Sequence, residues 1–217
     1  SSQLLASYQK SKDYNYSSIY GRYHTGTTLD ELEQRYIQWA NNVDIGKGSV
    51  GAGVDWKQER LVSSNETSRD AYDRDNTGLY LTGMKQLGDV TLEASGREDK
   101  DDSFGWHGTW QTAAGWEFVP DYRLTLSYGT GFLAPSLGQQ FGAKRFGIAS
   151  NPNLKPEESK QWEAGIEGLT GPLDWRLSAY RYEIENLIDY SNQAYINVKS
   201  ATIKGVEWTG DIDTGIF

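Results

Sequence analysis

The chain has 217 residues and no cysteine, and 21 Lys and Arg against 30 Asp and Glu give a net charge of −9. These values exclude disulfide frameworks, Cys-ligated metal centres and Cys nucleophiles, and they argue against nucleic acid as a partner. Mean hydropathy is −0.67 and no stretch is apolar for about 18 residues, which excludes a transmembrane helix; strands that cross a membrane escape this test, because their two-residue period vanishes in averaged hydropathy.

Twenty-four Gly, 8 Trp and 14 Tyr, set against one Met and five Pro, read as an all-β chain. Alternation of apolar and polar residues predicts about ten strands, at 2–10, 30–45, 48–60, 76–87, 89–97, 105–118, 121–132, 158–169, 173–185 and 195–213. Val50, Ala52, Val54 and Trp56 alternate with Ser49, Gly51, Gly53 and Asp55. Val90, Leu92 and Ala94 alternate with Asp89, Thr91 and Glu93. Trp106, Trp110, Ala114, Trp116 and Phe118 share one parity, and His107, Thr109, Gln111, Gly115 and Glu117 the other. Tyr122, Leu124, Leu126, Tyr128 and Phe132 alternate with Asp121, Arg123, Thr125, Ser127 and Gly129. Trp162, Ala164 and Ile166, then Leu173, Trp175, Leu177 and Ala179, continue the pattern.

The connections alternate as well. Gly46-Lys47-Gly48, Gly88-Asp89, Pro120-Asp121 and Gly171-Pro172 are tight-turn signals. Between them lie longer polar segments, about 11–28, 62–75, 97–103, 133–157 and 186–194. A soluble β-sandwich has no reason to put every short turn at one end. An antiparallel up-and-down transmembrane β-barrel does, with short periplasmic turns and long extracellular loops. Trp116, Phe118, Tyr122 and Trp175 near the short turns, and Trp56, Tyr80, Trp106, Phe132 and Trp162 toward the loops, form two aromatic bands at the interfaces. The apolar parity is expected to face lipid. The other parity, with Gly51, Gly53, Gln111, Ser127, Gly129 and Gly131, is expected to face a polar lumen.

Candidate chemistry is sparse. His107 near Asp101, Asp102 and Ser103 permits the mould of an outer-membrane hydrolase, but a lumen or rim residue is the simpler reading. Glu98-Asp99-Lys100-Asp101-Asp102 offers oxygen ligands suited to calcium, with a solvated acidic loop as the simpler reading. Gly46, Gly48, Gly51 and Gly53 precede no helix pattern and are turn and lumen residues rather than a phosphate loop. Asn65-Glu66-Thr67 matches the glycosylation triplet without meaning in such a context. Tyr14, Tyr16, Tyr20 and Tyr23 cluster in the first long loop, offering rigid apolar area with a hydrogen-bonding tip.

Phe132-Leu133-Ala134-Pro135-Ser136-Leu137, then Asn151-Pro152-Asn153-Leu154-Lys155-Pro156-Glu157-Glu158-Ser159, then Trp162-Glu163-Ala164-Gly165, and finally Ile203-Lys204-Gly205-Val206-Glu207, resemble the barrel signatures of TonB-dependent outer-membrane receptors. Ser11-Lys12-Asp13-Tyr14-Asn15-Tyr16, Tyr20-Gly21-Arg22-Tyr23, Gln38-Trp39-Ala40-Asn41-Asn42-Val43, Gly51-Ala52-Gly53-Val54-Asp55-Trp56 and His107-Gly108-Thr109-Trp110-Gln111-Thr112 are similar to the cobalamin receptors within that family. The resemblance covers essentially the whole chain. It implies one partial domain over 1–217, about ten strands of a 22-stranded barrel of the bacterial outer membrane. The plug, the TonB box and the remaining strands are expected elsewhere. Phe217 as the aromatic end of a barrel is the competing reading.

The resemblance further implies a receptor and transporter rather than an enzyme. Its ligand is cobalamin, with a siderophore as the alternative, and its partners are TonB, reached through the N-terminal part, and outer-membrane lipid. No cofactor or metal residue is expected in this segment, since the family's calcium ligands lie outside it. One corrin-contacting residue carries over, at Thr28 in the Gly21–Asp30 loop, whose plainer role is to begin a strand. Segment 141–149 is longer than the family pattern, so that loop's ligand role is open.

Overall fold

The computed structural model describes residues 1–143, 148–212 and 214. Ten antiparallel strands form one sheet in strict chain order. They are β1 (Ser2–Asn15), β2 (Thr28–Asp44), β3 (Gly48–Ser64), β4 (Arg69–Leu87), β5 (Val90–Asp101), β6 (Gly105–Val119), β7 (Tyr122–Leu133), β8 (Glu157–Thr170), β9 (Leu173–Ser191) and β10 (Ala194–Ile212). One short helix, α1 (Leu137–Phe141), lies between β7 and β8. Among the described residues β1 and β10 are the sheet's two edges.

The register makes the faces explicit. Val54 pairs with Trp39 on one side and Leu79 on the other, and Ala52 with Leu81. Leu92 pairs with Ala114, which pairs with Leu126, then Ala164, Ala179 and Val206. Val90, Trp116, Leu124, Ile166, Leu177 and Trp208 form the next row toward the short turns. These rows are outward-facing, and Leu79, Leu81, Leu126, Val206 and Trp208 are among the exposed side chains. The opposite parity is concave and more enclosed, with Gly51, Asp55, Glu59, Leu61, Arg74 and Gly129 all buried on it. Among the described residues no second layer covers the sheet's apolar face, which is the pattern of a lipid-facing wall and not of half a sandwich.

The four short turns each contain one residue in the left-handed region: Gly46, Gly88, Asp121 and Gly171. Such turns match the twist of the strands they join. Around them Trp116, Phe118, Tyr122 and Trp175 form a chain of ring contacts, at centroid separations of 5.8, 6.4 and 6.3 Å. At the other rim Trp162 lies against Tyr128 and Tyr128 against Trp110, at 4.1 and 4.9 Å. Tyr80 is a correction to the expected outer band. It sits on the concave face, where Gln38 Nε2 donates to its hydroxyl at 3.3 Å.

Most strands are longer than the alternation predicted, and apart from single residues at Val119 and Thr170 the additions lie at the long-loop end. β3 and β4 pair as far as Ser64 with Arg69, so the expected 62–75 loop shrinks to a turn. There Asn65 Oδ1 accepts from the amides of Thr67 and Ser68. β9 and β10 close on Asn192 and Gln193, both at positive φ, instead of a loop over 186–194. Crossing hydrocarbon takes about 9–11 strand residues, and β2, β3, β4, β9 and β10 have 17 to 19. The surplus stands beyond the bilayer. In water both faces of a strand can be polar, and the alternation that marks a strand fades.

Candidate ligand-capture site

Residues 134–143 and 148–156 fold inward across the concave face instead of projecting away. Ser136 begins α1 with a reciprocal cap: its hydroxyl accepts from the Gln139 amide, and its own amide donates to Gln139 Oε1 at 2.9 Å. α1 packs on β3, and Phe141 stacks on Tyr72 of β4 with ring centroids 4.2 Å apart. Pro135, Leu137 and Leu154 are almost fully buried, as is Leu61 of β3. The Pro135-Ser136-Leu137 and Asn151–Glu157 signatures are therefore the docking core of this segment.

Polar contacts fix it at both ends. Arg74 of β4 is buried; its Nη1 donates to the Pro135 carbonyl at 2.6 Å and its Nη2 to Glu59 Oε2 at 2.7 Å. Asp101 Oδ2 lies 3.8 Å from Arg74 Nε. Gln34 Nε2 donates to the other Glu59 oxygen at 2.7 Å. Farther along, the Ala143 amide donates to both Asp30 oxygens, at 3.1 and 3.0 Å. On the β9–β10 side, Ala149 makes a parallel bridge to Ala194, and Asn197 bonds both the amide and the carbonyl of Lys155. Lys144–Gly147, within the segment expected to depart from the family pattern, and Phe217 lie outside the described residues.

Thr28 is the first residue of β2, opposite Asn15. It has the parity of Asp30 and so faces the concave side, two residues nearer the mouth. Its hydroxyl is buried and has no hydrogen-bond partner among the described residues. Beside it residues 16–27 form the expected aromatic loop. Ile19, Tyr20 and Tyr23 are among its exposed side chains, His24 stacks on Tyr20 at 4.5 Å, and Arg22 lies over the rings of Tyr14 and Tyr23. The Tyr23 hydroxyl accepts from Arg22 and raises the already high pKa of its guanidinium. The Gly26 amide donates to the Glu66 carboxylate, tying this loop to the β3–β4 turn.

The acidic run at 98–102 is corrected. Residues 98–101 are the end of β5, not a loop. Alternation sends Asp99 and Asp101 inward. Arg97 bonds both oxygens of Asp55, at 2.6 and 2.9 Å, and both of Asp99, at 2.7 Å each. Gly78 makes room for it: a Cβ there would sit 1.9 Å from Arg97 Nη2. Asp101 caps the amides of Ser103 and Phe104. Among the described residues no group of carboxylates and histidines is arranged to hold a metal ion. His107 donates from Nε2 to the Phe104 carbonyl at 2.8 Å and stacks on Phe132, so its contacts are structural.

An inward-folded segment on the concave face of a lipid-facing sheet is a receptor-barrel arrangement, and comparison decides the family. Residues 1–216 match the family described as "TonB dependent receptor-like, beta-barrel". The chain belongs to this family. TonB-dependent receptor barrels lie in the bacterial outer membrane and are transporters, not enzymes. Among solved structures, the siderophore receptor PirA of Pseudomonas aeruginosa superposes with a TM-score of 0.76 at 19% identity, covering 95% of this chain and 44% of that one. The ferric enterobactin receptor PfeA gives 0.79 at 16%, covering 95% and 38%. The haemophore receptor HasR of Serratia marcescens, in complex with HasA and haem, gives 0.80 at 15%, covering 99% and 44%. Such identities establish the shared fold. The chain spans about two fifths of the length of these receptors.

Proposed function

We propose that this TonB-dependent receptor barrel segment forms one side of the mouth through which a large metal chelate is captured and taken up in a TonB-driven step. The observation that carries this reading is the inward fold of residues 134–143 and 148–156, pinned at Arg74 and Asp30 beside the unpartnered Thr28 hydroxyl and the tyrosine loop. Together they narrow the mouth and line it with aromatic area and hydrogen-bonding groups. These groups bind a ligand and perform no bond chemistry. TonB is engaged through a part of the receptor outside this chain.

Two cargo classes are supported by different observations. The solved relatives are named for siderophores, enterobactin and haem, which favours an iron chelate. The residues of the Tyr20–Tyr23, Gln38–Val43 and His107–Thr112 stretches favour a corrinoid, with Thr28 as a contact. Equilibrium competition on the receptor that carries this chain separates them. Displacement of a labelled corrinoid by cyanocobalamin and not by ferric enterobactin or haemin supports the corrinoid, and the reverse supports the iron chelate. Binding of neither class overturns the proposed function.

A further inference from the structure

The outward wall carries a second feature, away from the mouth. Above the apolar rows of β1–β4, the same outward parity becomes charged. Arg35 lies two residues beyond Ile37 on β2, in the row of Tyr8 and Gln58. Lys10, Glu33, Arg60 and Asp73 form the next outward row. At about 3.4 Å per residue and a tilt near 40°, these rows stand roughly 5 and 10 Å above the level of Ile37 and Trp56. Together with Glu31 and Arg69 they line a recess of 420 Å³.

The charges in this recess are layered. The heads of Lys10, Arg60 and Arg69 in the recess, and of Lys12 beside it, are 38, 52, 71 and 47% exposed, while Glu31 and Glu33 are 14 and 27% exposed. The two glutamates hold Lys10 at 2.6 Å and Lys12 at 2.8 Å from behind, and Arg69 approaches Glu31 at 3.6 Å. Asp73 is the exposed exception and meets Arg60 only at 3.9 Å. Arg35 is exposed, with a long 3.4 Å contact to Gln58. On this outward parity five cations meet four carboxylates, Glu31, Glu33, Asp73 and Asp75, the last opposite Gln58; of these, four cations and three carboxylates line the recess, in a chain whose net charge is −9. Across the sheet, the outward residues at the same end of β8 and β9 are Glu158, Lys160, Glu183 and Glu185, a mostly acidic set. The basic surface is local to β1–β4.

We propose that this recess binds a phosphate-bearing lipid headgroup of the outer leaflet. An outward side chain just above the hydrocarbon edge meets headgroups, and anionic headgroups attract clustered Lys and Arg at that depth. Arginine forks suit phosphate oxygens, and the glutamates behind keep the basic side chains extended toward them. The inference rests on the reading of the long-loop end as extracellular.

The test uses the receptor that carries this chain, purified in mild detergent and supplied with lipid A, a bisphosphorylated glucosamine lipid, with bound lipid counted by native mass spectrometry. The wild type retains lipid A and binds its dephosphorylated form at least fivefold more weakly. The triple variant Arg35→Gln, Arg60→Gln, Arg69→Gln retains at least fivefold less lipid A, and Lys160→Gln retains as much as wild type. Equal retention by the triple variant, or equal binding of the dephosphorylated lipid, overturns the proposal. Should the triple variant fail to fold, Arg69→Gln alone and the wild-type preference for phosphate decide. Retention of no lipid of any kind would count instead against the membrane orientation.

Discussion

Replacing Arg74 with methionine tests how the inward segment is held. The side chain is 5% exposed and joins Glu59, Asp101 and the Pro135 carbonyl. Methionine fills much of the volume and removes the charge and the donors. Breaking a buried ion pair from one side costs about 3–5 kcal/mol, because the remaining charge is stranded. Here Glu59 keeps Gln34 and Lys57, and Asp101 keeps two backbone amides. The cost therefore falls near the lower end, about 3 kcal/mol. Denaturant unfolding of the receptor in vesicles, followed by tryptophan fluorescence, measures it. Hydrogen exchange at amides 136–143 should rise in parallel, since the Pro135 carbonyl loses its donor. Adding Glu59→Met should recover part of the loss, because the stranded carboxylate is gone. A single-variant cost below about 1 kcal/mol, or a double variant less stable than the single, would refute the reasoning.

Other outcomes follow from the same geometry. Gly78→Ala places a methyl where Arg97 Nη2 lies and should cost about 1–3 kcal/mol by displacing the guanidinium from Asp55 and Asp99, read by the same unfolding assay. Leu126→Arg, in the middle of the outward apolar band, should cost about 2–4 kcal/mol in bilayers, whereas Leu126→Phe should be nearly neutral. Thr28→Val should leave stability within about 0.5 kcal/mol, because the hydroxyl has no partner in the protein to lose. If that hydroxyl meets the ligand, Kd should rise about two- to tenfold, as expected for one net hydrogen bond; an unchanged Kd removes Thr28 from the site.

The membrane-crossing half of every strand was legible in the sequence, because lipid on one side and a wet lumen on the other impose a two-residue period. Val50–Trp56 and Tyr122–Tyr128 show this most cleanly. Where strands leave the bilayer that constraint ends. The β3–β4 extension carries Ser63, Ser64, Arg69 and Asp73 and reads as loop, although pairing continues to Ser64 and Arg69. The 98–102 run misled for the same reason: its inward acids answer Arg97 and Arg74, and Asp55 is 42 residues from Arg97 in the chain. Such pairings are set by register, which local pattern does not contain. The α1 helix did leave a signal, the Ser136-x-x-Gln139 capping box, but five residues are too few for a helical period to show. Thr28 was legible only through family resemblance, and its inward parity and free hydroxyl come from the structure.

The central claim is that one parity of the sheet meets lipid and the other a polar interior. Spin labels placed singly at residues 123–128 of β7, in the receptor carrying this chain and reconstituted in bilayers, test it through collision with oxygen and with a water-soluble nickel chelate. Labels at 124, 126 and 128 should favour oxygen, and those at 123, 125 and 127 the chelate or neither, with a period of two. Oxygen-poor labels at 124 and 126, or no alternation along the strand, would contradict it.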